Sequence, residues 1–421
     1  MKRILLSVIS AIWLMAFAPW LHAEPITLHL AYAFPSRDTL FLEPIAEQFM
    51  KDNPGIKIKL EGNATDCPAL LQQLLRYSVT GALPDMVSSV CYTDMPILAE
   101  RGILTPLDDL LSNDPDWKNV GITQSSLGTT TVKGRVVAVP QSVSSSIVFY
   151  NMSLIRKIRP DLENLDLSWD ELLSIAAKLQ KAELGVMPLF FQYYDTDNWS
   201  FNSLVSSYGG DVFTKDGKIG FDSRAGRDAL ALLRRFGETG MVDMTPEQAR
   251  QAFASGKIAI YFDSTSRLQS LMANAGPTMD IRTGVFPQSA ADGRLAQGGG
   301  GMAITTKDPA RIAAAWKFLK FASGPEAQTL IVKTTGFVPV NAVAVRDSAY
   351  LGAYYKKRPA MLAAIRELPR VKVQNPYPGP NAAQIMIVIR DYLQRVVTLK
   401  QTPEEALPGM VREVTNLLPR P

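Results

Sequence analysis

Apolar and polar residues alternate along ITLHLAYAF (Ile26 to Phe34) and again along IKIKLEG (Ile56 to Gly62), the period of two expected of β-strands. Between them, the segment after Arg37 takes a helical spacing until Asn53-Pro54-Gly55 stops it. Asp66 is placed to cap a second helix, whose apolar residues Leu70, Leu71, Leu74, Leu75 and Val79 share one face and which Gly81 ends. DMVSSV (Asp85 to Val90) reads as a third strand. Strand, helix, strand, helix, strand predicts a parallel sheet with helices on both faces.

The same grammar returns downstream. LSWDELLSIAAKLQKA (Leu167 to Ala182) predicts an amphipathic helix opened by Ser168, with Glu171 three residues on completing a capping box. VMPLFF (Val186 to Phe191) reads as a buried strand, and PARIAAAWKFLKFASG (Pro309 to Gly324) as a helix closed by Gly324-Pro325. The first 23 residues stand apart. A basic start, MKR, leads into an apolar run interrupted by Pro19, and a small residue, Ala23, follows. That order predicts a cleaved secretory signal peptide over residues 1–23. The exported chain is then a soluble periplasmic protein of a Gram-negative bacterium, not inserted in the membrane.

The chain has 421 residues, of which 47% are hydrophobic and 20% charged, enough for two domains with their own cores. Loss of Lys2 and Arg3 with the signal lowers the formal charge from +4 to +2, and loss of His22 leaves His29 as the only histidine. A near-neutral chain without a basic block gives no footprint for nucleic acid. One histidine and two cysteines leave little room for a zinc site or a Ser/His/Asp triad, and no metal or cofactor is expected. Cys67 and Cys91 are expected to pair in an oxidising compartment, which would stabilise the fold by roughly 3 kcal/mol.

One stretch carries candidate chemistry. FFQYYDTDNWSF (Phe190 to Phe201) has six aromatic residues in twelve, with Asp195 and Asp197 among them. Two carboxylates in an aromatic setting fit either an acid/base pair or a site that holds a flat, hydroxylated ligand.

Longer phrases carry a resemblance. LLRYSVTGALPDMV followed by LAERGILTPLDDLL is similar to the extracellular solute-binding proteins that serve sugar ABC transporters, the group with the maltose-binding and glycerol-3-phosphate-binding proteins. AVPQSVSSSIVFYN (Ala138 to Asn151), QAFASGKIAIYFDSTS (Gln251 to Ser266), GGGGMAIT (Gly298 to Thr305) and the run from Trp316 to Ala344 resemble the same family in the same order. The resemblance implies an α/β fold of two lobes, the two-lobed periplasmic-binding-protein fold, each lobe a mixed, mostly parallel sheet flanked by helices. It also implies a three-segment hinge, with crossings near Pro140, near Pro287 and at Gly336 to Pro339. Residues 24–140 and 287–336 would form the N-terminal lobe, and residues 141–286 and 337–421 the C-terminal lobe.

The resemblance further implies a ligand held in the cleft by loops at the strand ends, with aromatic faces against a sugar ring and planar polar groups on its hydroxyls. Phe34 and Arg37 come from the first loop, Asn63 and Asp66 from the second, and Asp94 from the third. Ser144 and Ser145 sit at the first crossing. Asp197 and Trp199 fall on the family's acidic sugar contact and stacking aromatic. Ser264, Gly299, Gly300 and Phe337 occupy further ligand positions, and Tyr377 and Asn381 come from the proline-rich turn QNPYPGPN.

The departures also bear on the ligand. Relatives that bind glycerol-3-phosphate carry a Tyr, a Glu, a second Tyr and an Arg where this chain has Ala64, Cys91, Phe337 and a proline-rich turn. A neutral sugar is therefore expected, unless Arg37 or Arg267 replaces the missing arginine. The predicted function is the substrate-binding component of an ABC importer. It would be a monomer that binds a di- or oligosaccharide or a polyol and passes it to the membrane permease without chemistry. A secreted glycoside hydrolase and a ligand sensor not dedicated to transport are the alternatives.

Overall fold

The computed structural model describes residues 24–419, and the expected signal peptide, residues 1–23, lies outside the described residues. Two main sheets are built from β1 (Ile26–Ala33), β2 (Ile56–Ala64), β3 (Met86–Cys91), β4 (Val139–Ser144), β5 (Ser146–Asn151), β6 (Met187–Phe191), β7 (Ile258–Ser264), β8 (Ile281–Val285) and β9 (Gly298–Ile304). The first sheet has the order β2-β1-β3-β9-β4 and the second β8-β5-β7-β6.

Both sheets are mixed. β1 runs parallel to β2 and β3, and β6 parallel to β7. β9 is antiparallel to β3 and β4, and β5 is antiparallel to β7 and β8. The strand–helix–strand units predicted from spacing are the parallel ones. The antiparallel strands flank the places where the chain passes between sheets and so enter from the opposite end.

Local signals explain the elements around the cleft. Asp66 caps the helix Cys67–Thr80 by accepting the Ala69 N–H at 2.9 Å. Leu70 and Leu74 of that helix are buried, but Val79 is 87% exposed. All of Ser78–Ala82 is exposed, so the last turn projects beyond the sheet it was expected to cover. The capping box of Ser168 and Glu171 opens the helix Trp169–Lys181.

Each sheet has its own core. Phe49 packs edge-on against Phe318 at 5.1 Å and Phe321 at 5.6 Å on the first. On the second, Trp169 lies 5.5 Å from Phe236, 5.5 Å from Phe262 and 5.1 Å from Phe286. Burying each such ring contributes about 1.5–3 kcal/mol, so each half has its own reason to hold together.

The passages between sheets are short. Pro140 still pairs with Gly301 inside the first sheet, and the chain leaves that sheet only after Ser144. β4 is an edge strand, which accommodates a proline without losing an inner ladder bond. Ser145 alone separates the sheets, with its N–H on Thr265 Oγ1 at 3.3 Å and its carbonyl accepting the Thr265 N–H at 2.9 Å.

The return also comes later than Pro287. The Ala290 N–H donates to the Ser207 carbonyl and the Arg294 N–H to the Ser206 carbonyl, which ties this stretch to the second sheet's side until Gly298 begins β9. At the third passage Val338 exchanges both backbone hydrogen bonds with Val143, and Phe337 is buried in the core of the first sheet.

Candidate functional site

A cavity of about 550 Å³ lies between the two sheets, with walls from both. β6 delivers one wall. Phe190 and Phe191 finish the strand inside the core, and Tyr193 is buried with its hydroxyl on Asp243. Tyr194 emerges at the cavity edge, with the Arg390 guanidinium 4.9 Å over its ring.

Asp195 has a structural duty. Its Oδ2 accepts the Ser200 N–H at 2.8 Å and also the Ser200 hydroxyl, holding the start of the helix Trp199–Ser207. Burial pushes its carboxyl well above the usual carboxylate range, against the lowering effect of the Ser200 hydrogen bonds.

Asp197 and Asn198 adopt consecutive left-handed conformations, φ 59° and φ 48°. Non-glycine residues in that region are strained, and such strain persists only where the surroundings over-determine it. Here the Tyr377 hydroxyl donates to the Asp197 carbonyl at 3.0 Å. Asn202 Nδ2 donates to the carbonyls of Asp197 and Asn198, both at 3.1 Å. Asn198 Nδ2 donates to the Tyr377 hydroxyl and the Met386 carbonyl, also at 3.1 Å.

The turn so held aims Asp197 across the cavity. Its Oδ2 accepts a hydrogen bond from the Thr93 hydroxyl at 3.2 Å, and its buried Oδ1 has no partner among the described residues. Burial pushes its pKa up to about 6, the Thr93 hydrogen bond opposes the rise, and the nearby Asp66 adds to it. Asp94 is raised well above the usual carboxylate range, first by burial and then by Asp197 and Asp66. Three carboxylates thus converge at one end of the cavity.

Trp199 lines the cavity beside them. Its indole Nε1 donates to the Ala296 carbonyl at 3.1 Å, and its ring packs so close to Gly298 that a Cβ there would lie 3.2 Å away.

The other end is basic. The Arg37 guanidinium sits 4.5 Å over Phe34 and 4.6 Å over Phe337, with Nε on the buried Asp38 at 2.5 Å. Arg250 is held by Glu247 at 3.0 Å and lies 3.9 Å from Asp263. Arg267 also lines the cavity. Its pKa falls to about 10, mainly through burial and then through the neighbouring Arg37 and Arg250.

Comparison with known proteins identifies the assembly. The pattern of the bacterial extracellular solute-binding proteins matches residues 35–329. The chain belongs to that family. The solute-binding protein is 22% identical over 408 residues to the sn-glycerol-3-phosphate-binding periplasmic protein UgpB of Escherichia coli (strain K12), covering 90% of this chain and 89% of UgpB.

Among solved structures, UgpB from Mycobacterium tuberculosis in complex with glycerophosphocholine superposes with a TM-score of 0.81 at 21% identity, covering 94% of this chain and 98% of that one. An ABC substrate-binding protein from Listeria monocytogenes in complex with cycloalternan gives 0.79 at 18% identity, covering 93% and 99%. The fold is the two-lobed periplasmic-binding-protein fold.

Of the residues singled out in the sequence, Phe34, Arg37, Asp66, Ser144, Asp197, Trp199, Ser264, Gly299, Gly300 and Phe337 line the cavity of the solute-binding protein. Five do not. Asn63 is exposed on β2. Asp94 is buried behind the wall, near the Cys67–Cys91 disulfide. Ser145 is buried in the passage between lobes, Tyr377 lies beneath the Asp197 turn, and Asn381 is exposed and tied to the Leu417 carbonyl at 2.9 Å.

Sequence reasoning passed over Gln192, Arg250, Gln297, Met386 and Arg390, which also line it. Arg250, Met386 and Arg390 project from helices whose residue spacing carries no mark of the cleft.

Proposed function

We propose that this solute-binding protein is the substrate-binding component of an ABC importer, receiving a carbohydrate or polyol in the interlobe cleft and handing it to the membrane permease. The observation that carries this reading is the cavity, about 550 Å³ with walls from both lobes. That volume is in the range of small-molecule sites. Trp199 offers a flat face, and Asp197 Oδ1 is an acceptor without a partner among the described residues, ready for a hydroxyl. Relatives named for sn-glycerol-3-phosphate, or solved with glycerophosphocholine or cycloalternan, support a polyol or carbohydrate.

The mechanism is closure. Ligand contacts that only both lobes together can make stabilise the closed form, which the permease then reads. The chain does no chemistry in this reading. Asp195 is engaged by Ser200, which speaks against an acid/base pair with Asp197. The exported protein works as a periplasmic monomer after loss of residues 1–23. No helix among the described residues is long and apolar enough to cross a membrane.

A thermal-shift screen over sugars and polyols, followed by calorimetry and product analysis, tests the proposal. A ligand at 100 times its dissociation constant adds about 2.7 kcal/mol of stability. Saturable binding without products is expected, and turnover of any bound sugar would overturn the reading.

A further inference from the structure

We infer that the basic end of the cleft is an oxyanion subsite built by Arg267 and Arg37, so the solute is a carbohydrate or polyol that bears an anionic group. The inference rests on the cleft being the ligand site.

Arg267 carries the argument. Its half-buried side chain lines the cavity, and among the described residues no hydrogen bond or ion pair engages its guanidinium. A charge partly withdrawn from water without a partner carries a cost, and arginine does not relieve it by losing its proton. The neighbouring carboxylates are already committed. Asp38 receives Arg37 Nε and the Ser89 hydroxyl, each at 2.5 Å. Asp263 receives the Tyr261 hydroxyl at 2.7 Å and the Ser264 N–H at 2.6 Å. The missing partner of Arg267 is supplied from the cavity.

Arg37 is preorganised for the same task. Two aromatic rings clamp its guanidinium, and the Asp38 bond engages Nε, leaving the two Nη groups without partners among the described residues. A fork held flat in this way matches the planar geometry of a carboxylate or two oxygens of a phosphate. The Ser264 and Ser266 hydroxyls, 2.9 Å apart on the same wall, add donors.

Asp66 and Asp197 line the cavity too, with Asp94 just behind, and disfavour an anion beside them. The ligand is therefore oriented, with its charge at Arg267 and its hydroxyls towards Asp197 and Trp199. Arg37 comes from the first turn of the helix Pro35–Asp52 after β1 and Arg267 from the 3-10 turn after β7, not from the proline-rich turn.

The test is calorimetry on the whole mature chain with matched pairs: glucose 6-phosphate and glucuronate against glucose, and glycerol 3-phosphate against glycerol. Wild-type protein, Arg267→Gln and Arg267→Lys are compared, with melting curves to show that each is folded. At least one anionic member is expected to bind tenfold or more tighter than its neutral partner, with affinity falling as salt rises. Arg267→Gln should weaken that binding about ten- to a hundredfold and erase the preference, and Arg267→Lys should restore part of it.

The phosphate and carboxylate arms separate the two sources of negative charge. Tight binding of glucose or glycerol with weak binding of their anionic partners overturns the subsite and leaves the carbohydrate reading standing. A response to anions without hydroxyls, such as inorganic phosphate, equal to that of the sugar and polyol anions overturns the carbohydrate reading and leaves the subsite. An Arg267→Gln variant that binds every compound as wild type does overturns the subsite outright.

Discussion

The Thr93 hydroxyl donates to Asp197 Oδ2 at 3.2 Å, joining residues 104 positions apart that belong to opposite lobes. In the proposed closure, opening the cleft would break this bond, so the bond would bias the equilibrium between the two forms. Thr93→Val keeps the shape and removes the donor. Loss of a hydrogen bond to a charged group is worth about 1.5 kcal/mol or more, which corresponds to roughly tenfold weaker ligand affinity. Calorimetry reads the affinity, and small-angle scattering should show the unliganded variant more extended than wild type. Equal affinities and equal radii of gyration would mean that the bond does not govern closure.

The same carboxylate makes stability depend on pH. Burial raises Asp197 to about 6, and the nearby Asp66 adds to the rise. Between about pH 4 and pH 6 the folded protein therefore holds more protons than the unfolded chain. Its stabilising contribution is complete below pH 4 and is lost as pH rises through 6, at no more than about 1.4 kcal/mol per pH unit. Denaturant unfolding of wild type and Asp197→Asn at pH 4, 5, 6 and 7 should show the variant gaining on wild type as pH rises. Parallel profiles would remove Asp197 as the source.

Side-chain type and position at strand ends were enough to bring Phe34, Arg37 and Asp66 to attention, because open α/β sheets present such loops to one cleft, and the family resemblance added Trp199. The direction a side chain takes was not legible. Tyr377 sits in as polar a segment as Asp197, yet its hydroxyl turns under the backbone and supports the turn. The passages between the sheets lie a few residues beyond the prolines for a related reason: Pro140 looks like a break, and its place on an edge strand makes it compatible with pairing to Gly301. Arg250 and Arg390 reach the cavity through helix packing between residues far apart in sequence, which no local pattern encodes.

Gly300 is a position where the fold admits no side chain. A Cβ there would lie 2.5 Å from the Val90 carbonyl oxygen and 3.1 Å from the Ser89 carbonyl carbon, both backbone atoms of the adjacent strand. Gly300→Ala must push β9 away from β3 at the Cys91 pairing, where the cavity wall also lies. The expected loss is about 1–3 kcal/mol in denaturant unfolding, together with weaker ligand binding. An alanine variant with wild-type stability would show that the two strands separate at little cost.

Cys67 and Cys91 are bonded, with their Cα atoms 6.0 Å apart and 24 positions apart in sequence. The bond ties the start of the helix Cys67–Thr80 to the end of β3, beside Thr93 and Asp94. Cross-linking a loop of this length removes unfolded-state freedom worth about 3 kcal/mol. The double variant Cys67→Ala, Cys91→Ala should unfold at lower denaturant by that margin. Hydrogen exchange should localise the effect: amides of β1, β2 and β3 lose protection while those of β5 and β7, in the other core, keep theirs. Uniform loss across both lobes would instead mean that the two cores unfold as one unit, and unchanged stability would mean that packing alone already restrains this corner of the cleft.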